Sequence, residues 1–253
     1  MQNIHSVNSG IKELDELIGG FFPGELTIIG ARPGVGKTTV VLHSLQKIIE
    51  QNNMSPILFS IEMSKAYIER ILISLVSGIP IRDIRTDSVK DLELMNKTEE
   101  YLKTLDFIID DSPRITINEL CDKIRQHVTE HGQERSIVFI DYLGLIETED
   151  ENAPIYEKVC QITMRLKALA KELSIPIVCT CQVSRRGEPE EPKLILLRGT
   201  MSSVEKDSDV IIFIHKKRDD KSENEIFHRE LIVAKNRNGE TGRCSFSIPW
   251  IMW

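Results

Sequence analysis

Strand-like and helix-like segments alternate along most of this 253-residue chain. That alternation predicts an α/β protein with a mainly parallel central sheet, helices on both faces and a β-rich C-terminal end. Three observations carry the prediction. Short apolar runs, such as Ile137-Val138-Phe139-Ile140, are separated by amphipathic stretches of helical period. A glycine-rich turn joins the first apolar run to the first amphipathic stretch. In the tail, the apolar segments 210–214, 231–234 and 244–248 are separated without an amphipathic helical stretch between them, and turn signals stand at Asn238-Gly239 and Thr241-Gly242.

The elements follow in order. Leu26-Thr27-Ile28-Ile29 reads as the first strand, and Val40, Val41, Leu42, Leu45, Ile48 and Ile49 belong to the helix after the glycine-rich turn. A second strand spans 56–61. The helix over 65–77 has Ser64 as its candidate N-cap and Gly78 as terminator, with Ile68, Ile71, Leu72, Leu75 and Val76 on one stripe. A polar segment, 82–97, leads into a helix ending near Leu105, and Phe107-Ile108-Ile109 is a short strand. Thr116 followed three residues later by Glu119 forms a capping box for a helix running to about His131. The buried strand 137–140 ends in Asp141, and a long helix covers 156–173 before the strand 176–181. Residues 184–194 read as a polar loop. No internal repeat or compositional break divides the chain, so 1–253 is expected to be a single domain.

The chemistry is concentrated in Ala31-Arg32-Pro33-Gly34-Val35-Gly36-Lys37-Thr38-Thr39. A glycine-rich turn between a strand and a helix, closed by Lys-Thr, is the P-loop in its expected context. Gly34 and Gly36 let successive backbone N–H groups point at phosphate oxygens, and the helix N-terminus adds partial positive charge. Lys37 supplies a cation for the β- and γ-phosphates, and Thr38 a hydroxyl for magnesium. Residues Arg32 to Thr39 are therefore the expected nucleotide-binding segment.

A phosphate site of this kind needs a carboxylate to hold magnesium, and Asp141 is placed in that role on a strand expected beside the P-loop strand. Glu62, ending the strand 56–61, would lie at the carboxyl edge of the same sheet, next to the P-loop, as general base. Gln182, ending the strand 176–181, is suited to touching the γ-phosphate, since an amide both donates and accepts.

A formal net charge of −7 argues against a protein that coats nucleic acid by bulk attraction, while leaving room for a local basic groove. Arg185, Arg186, Lys193 and Arg198 give such local charge, suited to a strand's phosphates. Five cysteines without metal spacing read as free thiols in a reducing compartment. The N-terminus lacks a signal segment and the apolar runs are too short to span a bilayer, so a cytoplasmic location without membrane attachment is expected.

In this order, the segments resemble the motor domain of the DnaB family of bacterial replicative DNA helicases, within the RecA-like P-loop ATPases. The likeness runs through Gly19-Gly20-Phe21-Phe22-Pro23-Gly24-Glu25-Leu26, the P-loop, Phe59-Ser60-Ile61-Glu62-Met63-Ser64 and Ile140-Asp141-Tyr142-Leu143. It continues through Leu166-Lys167-Ala168-Leu169-Ala170-Lys171-Glu172-Leu173, Cys181-Gln182-Val183-Ser184-Arg185 and Ala234-Lys235-Asn236-Arg237-Asn238-Gly239. The resemblance implies ATP hydrolysis with Mg2+, action on single-stranded DNA in replication, and self-association into rings or hexamers. A helicase loader and primase are the partners it suggests. It makes Glu62 the catalytic base, Asp141 the magnesium acid, Gln182 the γ-phosphate sensor, and Lys235 and Arg237 a basic pair reaching a neighbouring subunit's site. Gly144 stands where the family has Gln, and Arg198-Gly199-Thr200-Met201-Ser202 departs from its usual Arg-Glu-Ser-Gly stretch. The chain is expected to be a stand-alone motor domain lacking the family's amino-terminal domain. The alternative within the same fold is a regulatory, non-unwinding ATPase of the RadA or KaiC branch.

Overall fold

The computed structural model describes residues 5–51, 53–150, 152–183, 191–194, 202–216 and 226–249. Among these, the strands are β1 (Leu26–Ala31), β2 (Ser55–Ser60), β3 (Ile108–Asp110), β4 (Ser136–Asp141), β5 (Ile177–Gln182), β6 (Val210–His215), β7 (Ile226–Asn236) and β8 (Gly242–Pro249). They form one sheet in the order β3-β2-β4-β5-β1-β6-β7-β8. The pairings from β3 through β6 are parallel, and β6–β7 and β7–β8 are antiparallel. The mixed sheet matches the predicted parallel body with a β-rich end.

The helices are α1 (Lys12–Ile18), α2 (Lys37–Glu50), α3 (Lys65–Ser77), α4 (Ile81–Arg85), α5 (Leu92–Lys103), α6 (Ile117–His131), α7 (Ile155–Leu173) and α8 (Ser202–Asp207). Strand residues alternate between two apolar layers. Ile29 and Ala31 of β1 face α1 to α5, packing with Val41, Leu45, Ile71 and Leu102. Leu26 and Ile28 face α6 to α8, packing with Ile124, Leu166, Leu169 and Val204. Both faces of β1, β2 and β4 are buried along their whole length, which is why those strands read as continuous apolar runs.

The end signals at Thr116, Gly78 and Ser64 are met with one change of partner, while α5 begins at Leu92, inside the polar segment 82–97 expected to precede it, with Asp91 as its N-cap. The Thr116–Glu119 capping box forms reciprocally, and Gly78 closes α3 in the left-handed region at φ 75°. Ser64 occupies the N-cap of α3, but its side chain makes no cap bond. The Asp111 carboxylate takes the first amide instead, accepting from Lys65 N at 2.7 Å. The helices α1, α4 and α8 were not anticipated. Each is seven residues or shorter, too brief for an apolar period to declare itself.

Where β6 begins, Asp209 gathers four elements. Its carboxylate accepts from Lys167 Nζ at 2.6 Å, Leu26 N at 2.9 Å and Arg237 Nη1 at 3.1 Å. Lys167 is the more buried of the two cations, and removing it would leave the buried Asp209 charge short of a partner, at a cost of up to about 3–5 kcal/mol. That corner ties α7 and β1 to the ends of β6 and β7.

Candidate active site

The P-loop leaves the C-terminal end of β1 and curls into α2. A backbone bond from Val35 N to Arg32 O closes the first turn. Gly34 and Gly36 adopt φ 73° and 110°, values that a side chain would strain. The first turn of α2 holds no acidic residue, so the positive end of the helix is left for an anion. Arg32, Lys37 and Thr39 are buried, Pro33, Val35, Gly36 and Thr38 half-buried, and Gly34 exposed. The Lys37 ammonium lies 5.3 Å from the centroid of the Tyr142 ring, a cation–π arrangement that holds it over the loop.

The other side of the site is built around Asp141. Its side chain is buried, and its two oxygens are claimed by hydroxyls from different elements. Thr38 Oγ1 donates to Oδ2 at 2.6 Å and Thr180 Oγ1 to Oδ1 at 2.5 Å. Thr38 and Asp141 thus meet across 103 positions of sequence. A hydroxyl and a buried carboxylate side by side at the mouth of a glycine-rich turn are hard oxygen donors, the type that suits Mg2+.

Sheet order corrects one expectation. The Asp141 strand is not adjacent to the P-loop strand, because β5 lies between β1 and β4, and the Glu62 strand lies beyond β4. Which strands neighbour each other is decided by long crossovers that leave no local mark in the sequence. The parallel direction nevertheless brings the carboxyl ends of β1, β5, β4 and β2 to one edge. Ile61 N donates to Asp141 O at 3.0 Å, which brings the segment carrying Glu62 beside Asp141. Burial first, then the Glu62 and Asp141 charges, push the Tyr142 phenol up. Gln182 is the residue beside the P-loop, paired with Ala31 and exposed.

Lys235 and Arg237 do not join this edge. Asn236 between them pairs with Val210, at the start of β6 and so at the opposite end of the sheet from the P-loop. Lys235 Nζ donates to Glu205 O at 2.5 Å and Ser208 O at 2.6 Å, and burial lowers its pKa. Of the four basic candidates for a nucleic-acid groove, Lys193 is exposed. Arg185, Arg186 and Arg198 lie outside the described residues, as does most of the expected loop 184–194. Thr180 and the β7 residues beneath the P-loop were missed by sequence reasoning. For Thr180 there is no local signal. For β7 there was one: Phe227, Arg229 and Leu231 alternate on one face of a strand.

With this geometry in view, the comparisons with known proteins decide the family. The DnaB-like helicase C terminal domain family matches residues 6–249. The chain belongs to that family. Replicative DNA helicase DnaB of Treponema pallidum is 34% identical over 238 residues, covering 93% of this chain and 52% of the relative. The Mycoplasma genitalium protein of the same name is 36% identical over 258 residues, covering 95% and 54%. The chain therefore spans about half the length of the curated relatives it matches. A solved ATPase domain superposes with a TM-score of 0.88 at 29% identity, covering 96% of this chain and 88% of that one. A solved DnaB-like replicative helicase, described together with its interactions with primase, gives 0.87 at 30% identity, covering 96% and 59%. The RecA-like fold follows from these likenesses. Among the described residues, no helix is long and apolar enough to cross a membrane.

Proposed function

We propose that this chain is the ATP-hydrolysing motor of a DnaB-type helicase, a single RecA-like domain that moves on single-stranded DNA and separates duplex strands during replication. The observation that carries the reading is the contact of Thr38 with Asp141 at the mouth of the P-loop. It joins the two groups that would hold magnesium in such a site. When bound, Mg2+ would neutralise charge on the β- and γ-phosphates. The residues Arg32 to Thr39 would cradle the phosphates, with Lys37 as the cation. Glu62 would orient the attacking water and take its proton, and Gln182 would contact the γ-phosphate.

Lys235 and Arg237 sit too far along the sheet to serve their own P-loop, which favours a role in a neighbour's site. A cation supplied in trans stabilises the charge that spreads over the transferring phosphoryl group and makes hydrolysis depend on ring or hexamer assembly. Arg185, Arg186, Lys193 and Arg198 are assigned to the backbone of the bound strand. A helicase loader and primase are the partners to be tried, and the cell interior, where DNA is replicated, is the compartment. The test is displacement of a labelled strand from a forked duplex. ATP-dependent displacement with turnover stimulated by single-stranded DNA is expected. Turnover without displacement or DNA stimulation would contradict the helicase reading.

A further inference from the structure

At the end of β7 remote from Lys235 and Arg237, a second group of residues presses on the P-loop. Arg229 is only 4% exposed, although it carries a permanent charge. Its guanidinium lies 4.1 Å from the centroid of the Phe227 ring. The two side chains are two residues apart on a strand and share a face. Arg229 Nε donates to the Val35 carbonyl at 2.8 Å, and Nη1 to the His228 carbonyl at 2.6 Å. Phe227 fills the space against Gly36 so closely that a Cβ there would run into the ring. Phe246 braces the ring edge-on, with centroids 6.0 Å apart.

The Val35 carbonyl and the Gly36 N–H belong to one trans peptide, so they point in opposite directions. Holding the carbonyl towards β7 turns the Gly36 N–H away from β7. A charged donor on the carbonyl also polarises that peptide and strengthens its N–H as a donor.

We propose that Arg229 is a positioning residue of the phosphate site, setting the 35–36 peptide through the Val35 carbonyl so that the Gly36 N–H meets the phosphates of a nucleoside di- or triphosphate. The proposal rests on the ATP-binding reading above. The cradle gathers the α- and β-phosphates, so ADP and ATP depend on Arg229 equally. Lys235 and Arg237, by contrast, would meet a nucleotide only where a γ-phosphate is present.

The experiment is calorimetric titration of the full chain with Mg·ATP and with Mg·ADP, for wild type, Arg229→Met and Arg229→Lys, with nucleotide-free melting curves beside them. Methionine keeps a long stem over Phe227 without a donor, while lysine keeps the charge and one reachable donor. Arg229→Met is expected to weaken both nucleotides about tenfold and in the same proportion, the size of one lost charge-assisted hydrogen bond. Arg229→Lys should recover part of that loss, with a melting temperature close to that of wild type. Folded variants that bind both nucleotides as wild type does would overturn the proposal, as would a loss confined to ATP. If Arg229→Met does not fold, Arg229→Lys decides alone. A loss of about threefold for both nucleotides then supports the proposal, and unchanged affinity overturns it. A wild-type chain that binds neither nucleotide overturns the ATP-binding reading and this proposal together. Binding by wild type with no loss in the variants overturns this proposal alone.

Discussion

Thr38 and Thr180 each spend a hydroxyl on Asp141, so the carboxylate is oriented before any ion arrives. Pre-set geometry of this kind lowers the reorganisation that binding would otherwise require. Glu62 stands apart from that network: it follows β2 near Tyr142 and Asp141, and in the proposed mechanism it would act on water rather than hold the loop. Glu62→Gln keeps the size and loses the base. Turnover of ATP is expected to fall by a factor on the order of 10² or more, with Mg·ATP affinity within about twofold of wild type. Binding and turnover falling together would make Glu62 a structural residue. At this scale the sequence was informative, because Lys37, Thr38 and Asp141 are recognisable from residue type and flanking pattern. Thr180 was not, since its role depends on β4 and β5 being neighbours.

Among the elements, those with a full apolar period were legible, and those defined by partners far along the chain were not. The helix α6 illustrates both. Its capping box could be read from Thr116 and Glu119, but the site that its far end makes with β2 could not. There His127 is buried, its Nε2 lies 2.7 Å from the Ser55 carbonyl, and its Nδ1 has no hydrogen-bond partner among the described residues. The carbonyl only accepts, so Nε2 carries the proton. The ring stacks on His131 with centroids 4.5 Å apart. Burial lowers the His127 pKa and outweighs the hydrogen bond to the Ser55 carbonyl, which raises it; the His131 charge adds to the lowering, and Asp106 and Glu130 act the other way. A lowered imidazole pKa means that the unfolded chain binds this proton more readily than the folded one. The stability it contributes is present above the unfolded value of about 6.5 and is lost as pH falls from there through the lower folded value. Melting curves at about pH 5.5 and 7.5 should therefore show wild type gaining more on the rise in pH than His127→Gln, by a difference on the order of 2 °C. Equal gains would place the linkage elsewhere. The same limit explains the misplaced strands: the parallel sheet was legible, while the insertion of β5 between β1 and β4 depends on crossovers of tens of residues.

For the whole molecule, β7 sets the layout. One end carries Phe227 and Arg229 against the P-loop, and the other carries Lys235 and Arg237 at the opposite edge of the sheet. Strand residues advance about 3.3 Å each, so the two ends are separated by most of the sheet's height. In the proposed ring, one strand thus braces its own phosphate site and offers cations to a neighbour's. This division of labour predicts that a dilute chain is a poor ATPase, and that activity per subunit rises as subunits meet. The most direct measurement is steady-state Mg·ATP turnover across protein concentration, for wild type and Lys37→Ala prepared alike. Wild-type turnover whose specific activity climbs with concentration is expected, with Lys37→Ala reduced to background throughout. Undiminished turnover in Lys37→Ala would contradict the phosphate site, and with it the account built on it.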